Sequence, residues 1–405
     1  MKKIQLFSPV YSVDECLAEI RKCLEAGWTG LGFKTVEFEE AWKNYTGLPN
    51  AHFLNSSTQG LHLAMKIFKY ELNWREGDEV ITTPLTFVST NHAILYENLK
   101  PVFADVDETL CLDPQSVREK IGPKTRAVVF VGFGGNAGKL DEISRICKEY
   151  NLVLILDAAH MSGTKYRERH IGSEADCAVF SYHAVKNLSI GDGGMICFKE
   201  KALDEKARKW SWMGINNDTF SRAGHGGYKW LYDVEYLGLK AHGNSIMAAI
   251  ALVQLKYLDR DNEIRRKYCD LYTRLLENNL QIKLVKHFDD CVSSRHLFQI
   301  RVPAALRDIL ILFLNAKEIY PGVHYRLNTD YKMYNYASGT CPRAEEAAKE
   351  IISLPLHLRM TEEDVKYICK NINIFLEMIS LPLDSNLTDE EVRNVCQKII
   401  KLLRE

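Results

Sequence analysis

A lysine, an aspartate and a cluster of hydroxyl groups are the residues whose types and spacing could do chemistry together. Asp157 ends the apolar run LVLIL (152 to 156) and is followed by Ala158, Ala159 and His160, which places a carboxylate and an imidazole on one turn. In open parallel sheets ligands bind where the strands end, so a carboxylate closing a buried strand is a binding candidate; read alone, it is equally a helix cap. Lys186 follows the run CAVFSYH (177 to 183). In a semi-buried cleft its ammonium would lose basicity and become a usable nucleophile, whereas on an open surface it is only a solvated charge. The third feature is Asn55-Ser-Ser-Thr-Gln-Gly60, between a short strand and the helical stretch LHLAMKIF. Hydroxyls and unpaired N–H groups at a helix start form an anion site that needs no basic residue, although Ser and Thr there also serve as simple caps. An amine for a Schiff base, a carboxylate to keep a pyridine nitrogen protonated and a cradle for phosphate are together what pyridoxal phosphate (PLP) chemistry demands.

The elements that would position these groups follow from the apolar pattern. Residues 13 to 47 read as two helices around the glycine-rich loop Gly27-Trp-Thr-Gly-Leu-Gly32. From residue 51 short apolar runs alternate with amphipathic segments: AHFL, a helix from Gln59 to Tyr70, EVITT, a helix near Asn91, PVFADV, a helix opened by Asp113-Pro114, AVVFVGF, KLDEISRICKEY and LVLILD. This is βαβ alternation, and the uninterrupted LVLIL belongs in the middle of a parallel sheet. CAVFSYH and MICF (195 to 198) read as further strands joined through the turn Gly191-Asp-Gly-Gly194. Ile246 to Leu276 reads as one long amphipathic helix leading to a smaller unit. The expected organisation is an N-terminal segment 1–34, a large α/β domain 35–255 with a mostly parallel sheet, and a smaller C-terminal α+β domain 256–405. SLPLHLRMTEEDV (353 to 365) recurs as SLPLDSNLTDEEV (380 to 392), a repeated helix-start pattern with no chemistry of its own.

Lys plus Arg (52) nearly balance Asp plus Glu (53), so no bulk field draws the chain to nucleic acid or an anionic membrane, and any anionic ligand must be caught locally. Eleven cysteines without a CxxC pair fit reduced thiols better than a disulfide framework or a structural zinc site, and no metal is expected. The N-terminus carries no apolar run of signal-peptide length, and no segment approaches the roughly 20 apolar residues of a membrane span. A soluble, cytoplasmic protein is expected.

The runs NSSTQGLHLA, GDEVITTPLTFVSTNHAILYENLKPVFADVD, LILDAAHMSGTKYRERHIGSEADCAVFSYHAVKNLSIGDGGMI and AAIALVQLKYLD resemble the DegT–StrS family of nucleotide-sugar aminotransferases, PLP enzymes of fold type I. FSYHAVKN followed by GDGGM is similar to that family's cofactor-lysine signature. The resemblance implies that Lys186 forms the Schiff base with PLP, that Asp157 pairs with the pyridinium nitrogen, and that His160 lies by the ring's 3-hydroxyl. It implies a phosphate site of Ser57, Thr58, the backbone N–H of Gln59, and Ser181, with Phe87 stacked on the ring. It further implies a homodimer with the active site at the subunit interface, glutamate as amino donor, and a nucleotide-linked keto sugar, aminated at C3 or C4, as acceptor. The freed Lys186 amine would move a proton between the donor's α-carbon and the cofactor. Lys34, His183, Lys240, His324, Tyr325 and Arg326 fall where the family meets its substrate, Arg326 toward the nucleotide phosphates.

One segment departs from the family. Where relatives read roughly Gly-Tyr-Asn-Tyr-Arg-Met and send a polar residue into the partner's phosphate site, this chain reads GLKAHGNSIMAA from Gly238. By spacing Lys240 takes the Asn place and His242 the Arg place, with Asn244 as the alternative. The stretch from Trp210 to Tyr232 is rich in Trp, Tyr and Gly, suited either to holding a sugar or base or to packing on the domain. A PLP-dependent sugar dehydratase would carry histidine in place of Lys186. A silent regulatory member would lack the intact Asp157, Ser181, Lys186 set, and an aminocyclitol aminotransferase would differ only in its acceptor.

Overall fold

The computed structural model describes residues 3–216 and 232–380. In chain order the helices are α1 (Val13–Glu25), α2 (Phe33–Thr46), α3 (Ser57–Glu71), α4 (Ser89–Leu95), α5 (Pro114–Lys120), α6 (Leu140–Glu149), α7 (Lys201–Trp210), α8 (Ser245–Leu276), α9 (Ala304–Ala316), α10 (Pro342–Glu350) and α11 (Glu362–Ser380). The strands are β1 (His52–Leu54), β2 (Glu79–Thr82), β3 (Lys100–Phe103), β4 (Thr125–Val131), β5 (Val153–Asp157), β6 (Lys165–Tyr166), β7 (Arg169–His170), β8 (Cys177–Ser181), β9 (Gly194–Phe198), β10 (Lys283–Leu284), β11 (Cys291–Val292), β12 (Phe298–Arg301) and β13 (Ile351–Leu354).

Seven strands form the central sheet in the order β1-β9-β8-β5-β4-β2-β3, and β5 lies in its middle. β3, β2, β4, β5 and β8 run parallel, while β9 is antiparallel to both β8 and β1. Burial on both faces explains the near-continuous apolar runs. Along β5, Leu154 and Leu156 pack into one core and Val153 and Ile155 into the other, and β4 and β8 divide their side chains in the same alternation. Each such aliphatic side chain contributes about 1.5–3 kcal/mol. A mostly parallel sheet with flanking helices and a smaller C-terminal α+β region is therefore the architecture, as the pattern of elements predicts. Single-sequence periodicity gives no sign of the antiparallel β9, because the same apolar run suits either direction.

Helix starts follow their caps. Ser56 Oγ accepts from Gln59 N–H at 3.2 Å, so α3 begins at Ser57, two residues before its expected start. Asp113 caps α5 with Pro114 in its first turn, and Asn244 Oδ1 accepts from Met247 N–H at 2.9 Å to open the 32-residue α8. That helix runs unbroken past residue 255 and packs against α1, α2 and α11. β8 ends at Ser181, two residues short of the expected strand, because Tyr182 turns to bond Gly193 and Ile190 through the backbone. Beyond α8, the antiparallel sheet β10-β12-β13 is covered by α9 and α11 around a separate apolar cluster. Ile4 is buried in that cluster and pairs with Ile319. Most of the second SLPL segment and most of the aromatic stretch lie outside the described residues.

Candidate active site

At the carboxyl ends of the parallel strands the sheet opens into a cavity of about 280 Å³. Three elements supply its chemistry: the end of β5 brings Asp157, the turn after β8 brings Lys186, and the first turn of α3 brings Ser57 and Thr58, with Ser56 just ahead. Asp157 is only 5% exposed. Its Oδ2 accepts from Thr90 Oγ1 at 2.7 Å and its Oδ1 from Ala159 N–H at 3.1 Å. Burial raises its pKa despite these two bonds and the nearby Lys186 charge. The carboxylate is thus held in shape but under-compensated, and a cationic N–H donor placed against it would relieve the cost.

Lys186 shows the mirror image. Burial brings its amine down to about 8, with Asp157 pulling the other way. About a tenth of the amine is therefore unprotonated at pH 7, far more than for an ordinary lysine, as a nucleophile requires. Asn187 anchors the lysine's turn: its Nδ2 donates to Asn262 Oδ1 and to Ser294 O, both at 2.7 Å, and its Oδ1 meets His296 Nδ1 at 2.9 Å.

His160 is buried and its pKa is driven well below the usual value, first by burial and then by Lys186 and His324. Gly134 N–H donates to its Nδ1 at 3.1 Å, so the neutral ring carries its proton on Nε2, which meets the Tyr325 hydroxyl oxygen at 3.1 Å. The His160 ring lies 4.4 Å from His296 and within stacking range of Tyr325. His324, whose pKa burial lowers to about 4, bonds Ser353 Oγ through Nδ1 at 2.9 Å and lines the cavity beside Tyr325.

The opposite end is built for an anion. The first-turn N–H groups of α3 have no acceptor within the helix, and hydroxyls of Ser56, Ser57, Thr58 and Ser181 line the same wall. Gly194 makes this approach possible, because a Cβ there would stand 2.5 Å from Ser57 N. Phe87 lines the mouth with 57% of its surface exposed and its ring 5.9 Å from Tyr325. A buried carboxylate short of a cation, an amine of lowered pKa and a helix-start anion cradle share one cavity, and PLP fits this donor set. Among the described residues no group of three His, Cys, Asp or Glu side chains is placed to hold a metal.

Of the residues singled out in the sequence, Ser57, Thr58, Phe87, Asp157, His160, Ser181, His183, Lys186, His324 and Tyr325 line this cavity. The other six, Lys34, Gln59, Lys240, His242, Asn244 and Arg326, do not line it within one chain. Lys34 is buried with its ammonium held by Glu19 at 2.9 Å and Glu37 at 2.5 Å. The Gln59 N–H is already taken by Ser56 Oγ, and Asn244 serves as the cap of α8. Arg326 turns outward to Asp330 and Tyr331. Lys240 and His242 lie beside Asn55 rather than in the cavity: Asn55 donates to Ala241 O at 2.8 Å and to Lys240 O at 3.3 Å, while the Lys240 ammonium sits over Trp212. Thr90, Asn187 and His296 escaped the sequence reading, since nothing local distinguishes them; their partners lie 67 or more residues away.

Comparison with known proteins agrees with this geometry. The sequence model of the DegT/DnrJ/EryC1/StrS aminotransferase family matches residues 11–373. The spore coat polysaccharide biosynthesis protein SpsC of Bacillus subtilis is 34% identical over 367 residues, 88% of this chain and 93% of that protein. Among solved structures, the aminotransferase TlmJ from Streptoalloteichus hindustanus superposes with a TM-score of 0.86 at 30% identity, covering 94% of this chain and all of that one. PseC of Helicobacter pylori, an aminotransferase involved in the biosynthesis of pseudoaminic acid, gives 0.86 at 25% identity over 93% of this chain and all of its own. No helix among the described residues is long and apolar enough to cross a membrane.

Proposed function

The chain belongs to the DegT/DnrJ/EryC1/StrS aminotransferase family of fold type I PLP enzymes, and from that membership we propose that it moves the amino group of glutamate onto a C3 or C4 keto group of a nucleotide-linked sugar. The observation that carries this reading is the meeting of Lys186, Asp157 and the start of α3 in one cavity. Relatives named for polysaccharide and pseudoaminic acid biosynthesis favour a sugar acceptor in amino-sugar biosynthesis.

PLP, when bound, supplies an aldehyde that condenses with amines and a ring that absorbs the electron pair left at the donor's α-carbon. Lys186 would hold the aldehyde end, and its amine, brought down to about 8, would take a proton from the donor's α-carbon and later give one to the acceptor carbon. Asp157, held by Thr90 and Ala159, would keep the ring nitrogen protonated. Ser57, Thr58 and Ser181, which line the cavity, would hold the phosphate, His160 would lie on the 3-hydroxyl side, and Phe87 would cover one face of the ring. His183, His324 and Tyr325 line the remaining wall, where a sugar enters.

A homodimer completing this site is part of the proposal. Val13, Leu17, Leu24, Val234 and Leu237 are each at least 57% exposed and are candidates for that contact. Lys240, His242 or Asn244 is the residue that would reach the neighbouring subunit's cofactor phosphate. The test is incubation with glutamate and a panel of nucleotide-linked 3-keto and 4-keto sugars, read by mass spectrometry. One sugar should exchange its keto oxygen for an amino group; amination of small keto acids alone would refute the sugar reading.

A further inference from the structure

Behind the turn Phe133–Gly135, whose Gly134 N–H donates to His160, lies a second cavity of about 190 Å³ between that turn, α8 and the β10-β12 sheet. Among the described residues Arg295 is the one charged residue lining it, and no carboxylate does. Among the described residues the Arg295 guanidinium makes no hydrogen bond or ion pair; only its backbone N–H is engaged, donating to Ser293 Oγ at 3.0 Å. Its φ of 48° is a left-handed conformation that side chains other than glycine adopt rarely. The neighbours hold it there, since Ser294 Oγ donates to His160 O at 2.6 Å and Asn187 holds both Ser294 O and His296.

His287, on the same wall, has a buried Nδ1 without a hydrogen-bond partner among the described residues. Burial and then the Arg295 charge bring its pKa down to about 3, so it stays neutral at pH 7. Arg295 is half-buried and its guanidinium has no protein partner among the described residues, while the buried, unsatisfied atom is His287 Nδ1; an oxyanion between the two satisfies both. The single positive charge calls for one negative charge. Phe133, Leu284, Leu297 and Phe298 give the rest of the wall an apolar character that suits a hydrocarbon body and not the hydration shell of free phosphate.

We propose that this cavity binds a small carboxylate monoanion with a short apolar or aromatic body, its carboxylate on Arg295 and His287. The site adjoins the catalytic cavity without opening into the same set of side chains: Gly134 reaches His160, and Gln299 Nε2 donates to His324 O at 3.4 Å.

The probe is benzoate, titrated calorimetrically into the cofactor-loaded protein beside inorganic phosphate. One saturable benzoate site is expected, weakened about tenfold or more by Arg295→Met, which removes the charge and keeps an apolar side chain. Leu284→Trp, which fills the cavity and leaves the charge, should weaken it similarly, and unfolding temperatures report whether each variant is folded. The proposal is overturned by absence of saturable benzoate binding in the unmodified protein, or by unchanged benzoate affinity in a folded variant. Phosphate binding tighter than benzoate through Arg295 would overturn the carboxylate assignment.

Discussion

Asp157→Asn separates what this residue does for chemistry from what it does for folding. The substitution preserves shape: Oδ1 still accepts from Ala159 N–H, and the Thr90 hydroxyl can rotate to accept from the new amide. What is lost is the buried negative charge. Removing one partner of a buried ion pair costs about 3–5 kcal/mol, which corresponds to roughly two to four orders of magnitude in kcat if the loss falls on the transition state. Stability of the cofactor-free protein moves the other way. Because burial raises the folded-state pKa of Asp157 above its unfolded value, the carboxyl favours folding only while protonated, and at pH 7 the ionised group opposes it. The Asn variant without cofactor should therefore unfold at the same or a higher temperature. Asp157 also holds the Lys186 pKa up, so the variant's amine should titrate below about 8. The assays are single-turnover kinetics with glutamate, a thermal melt of the cofactor-free protein, and the pH dependence of amine labelling. A fall in rate of less than tenfold with cofactor still bound, or a marked loss of stability, would refute the electrostatic role.

The rate at which cofactor-free protein regains the visible band of bound PLP should rise with pH through about 8, following the free-amine fraction of Lys186; an apparent pKa near 10 would contradict its burial. Stability should fall in acid: His170 and His324 titrate near 4 when folded and near 6.5 when unfolded. Above 6.5 they contribute nothing, and from 6.5 down toward 4 each costs at most about 1.4 kcal/mol per pH unit, so denaturation midpoints at pH 7.5 and 5.0 should differ. Gly194→Ala should weaken PLP binding about tenfold or more as the start of α3 is pushed from the cavity, since a Cβ would meet Ser57 N at 2.5 Å and Ser56 C at 2.6 Å. Unchanged affinity would refute that account of the cradle.

Much of this was legible in one dimension because the information is local. The apolar LVLIL run names a central strand, Asp157 is the residue that closes it, and Lys186 and the Ser56–Gln59 turn stand next to elements whose ends must meet in a parallel sheet. The polarity and spacing of those residues make them candidates for a PLP site, and the motif resemblance points to the family.

The tertiary structure alone decided which of these groups are engaged and with whom. Lys34 reads as a substrate contact until Glu19 and Glu37 are seen to hold its ammonium. Asn244, read from spacing as a cofactor ligand, caps α8 within its own chain. Thr90 reaches Asp157 across 67 residues of chain and Tyr325 reaches His160 across 165, which also fixes the imidazole's surroundings. Periodicity records which face of an element is apolar. It carries no record of strand direction, as β9 shows, or of long-range partners, because those depend on how separate elements come together and on the burial that shifts Asp157 and Lys186 toward each other's aid.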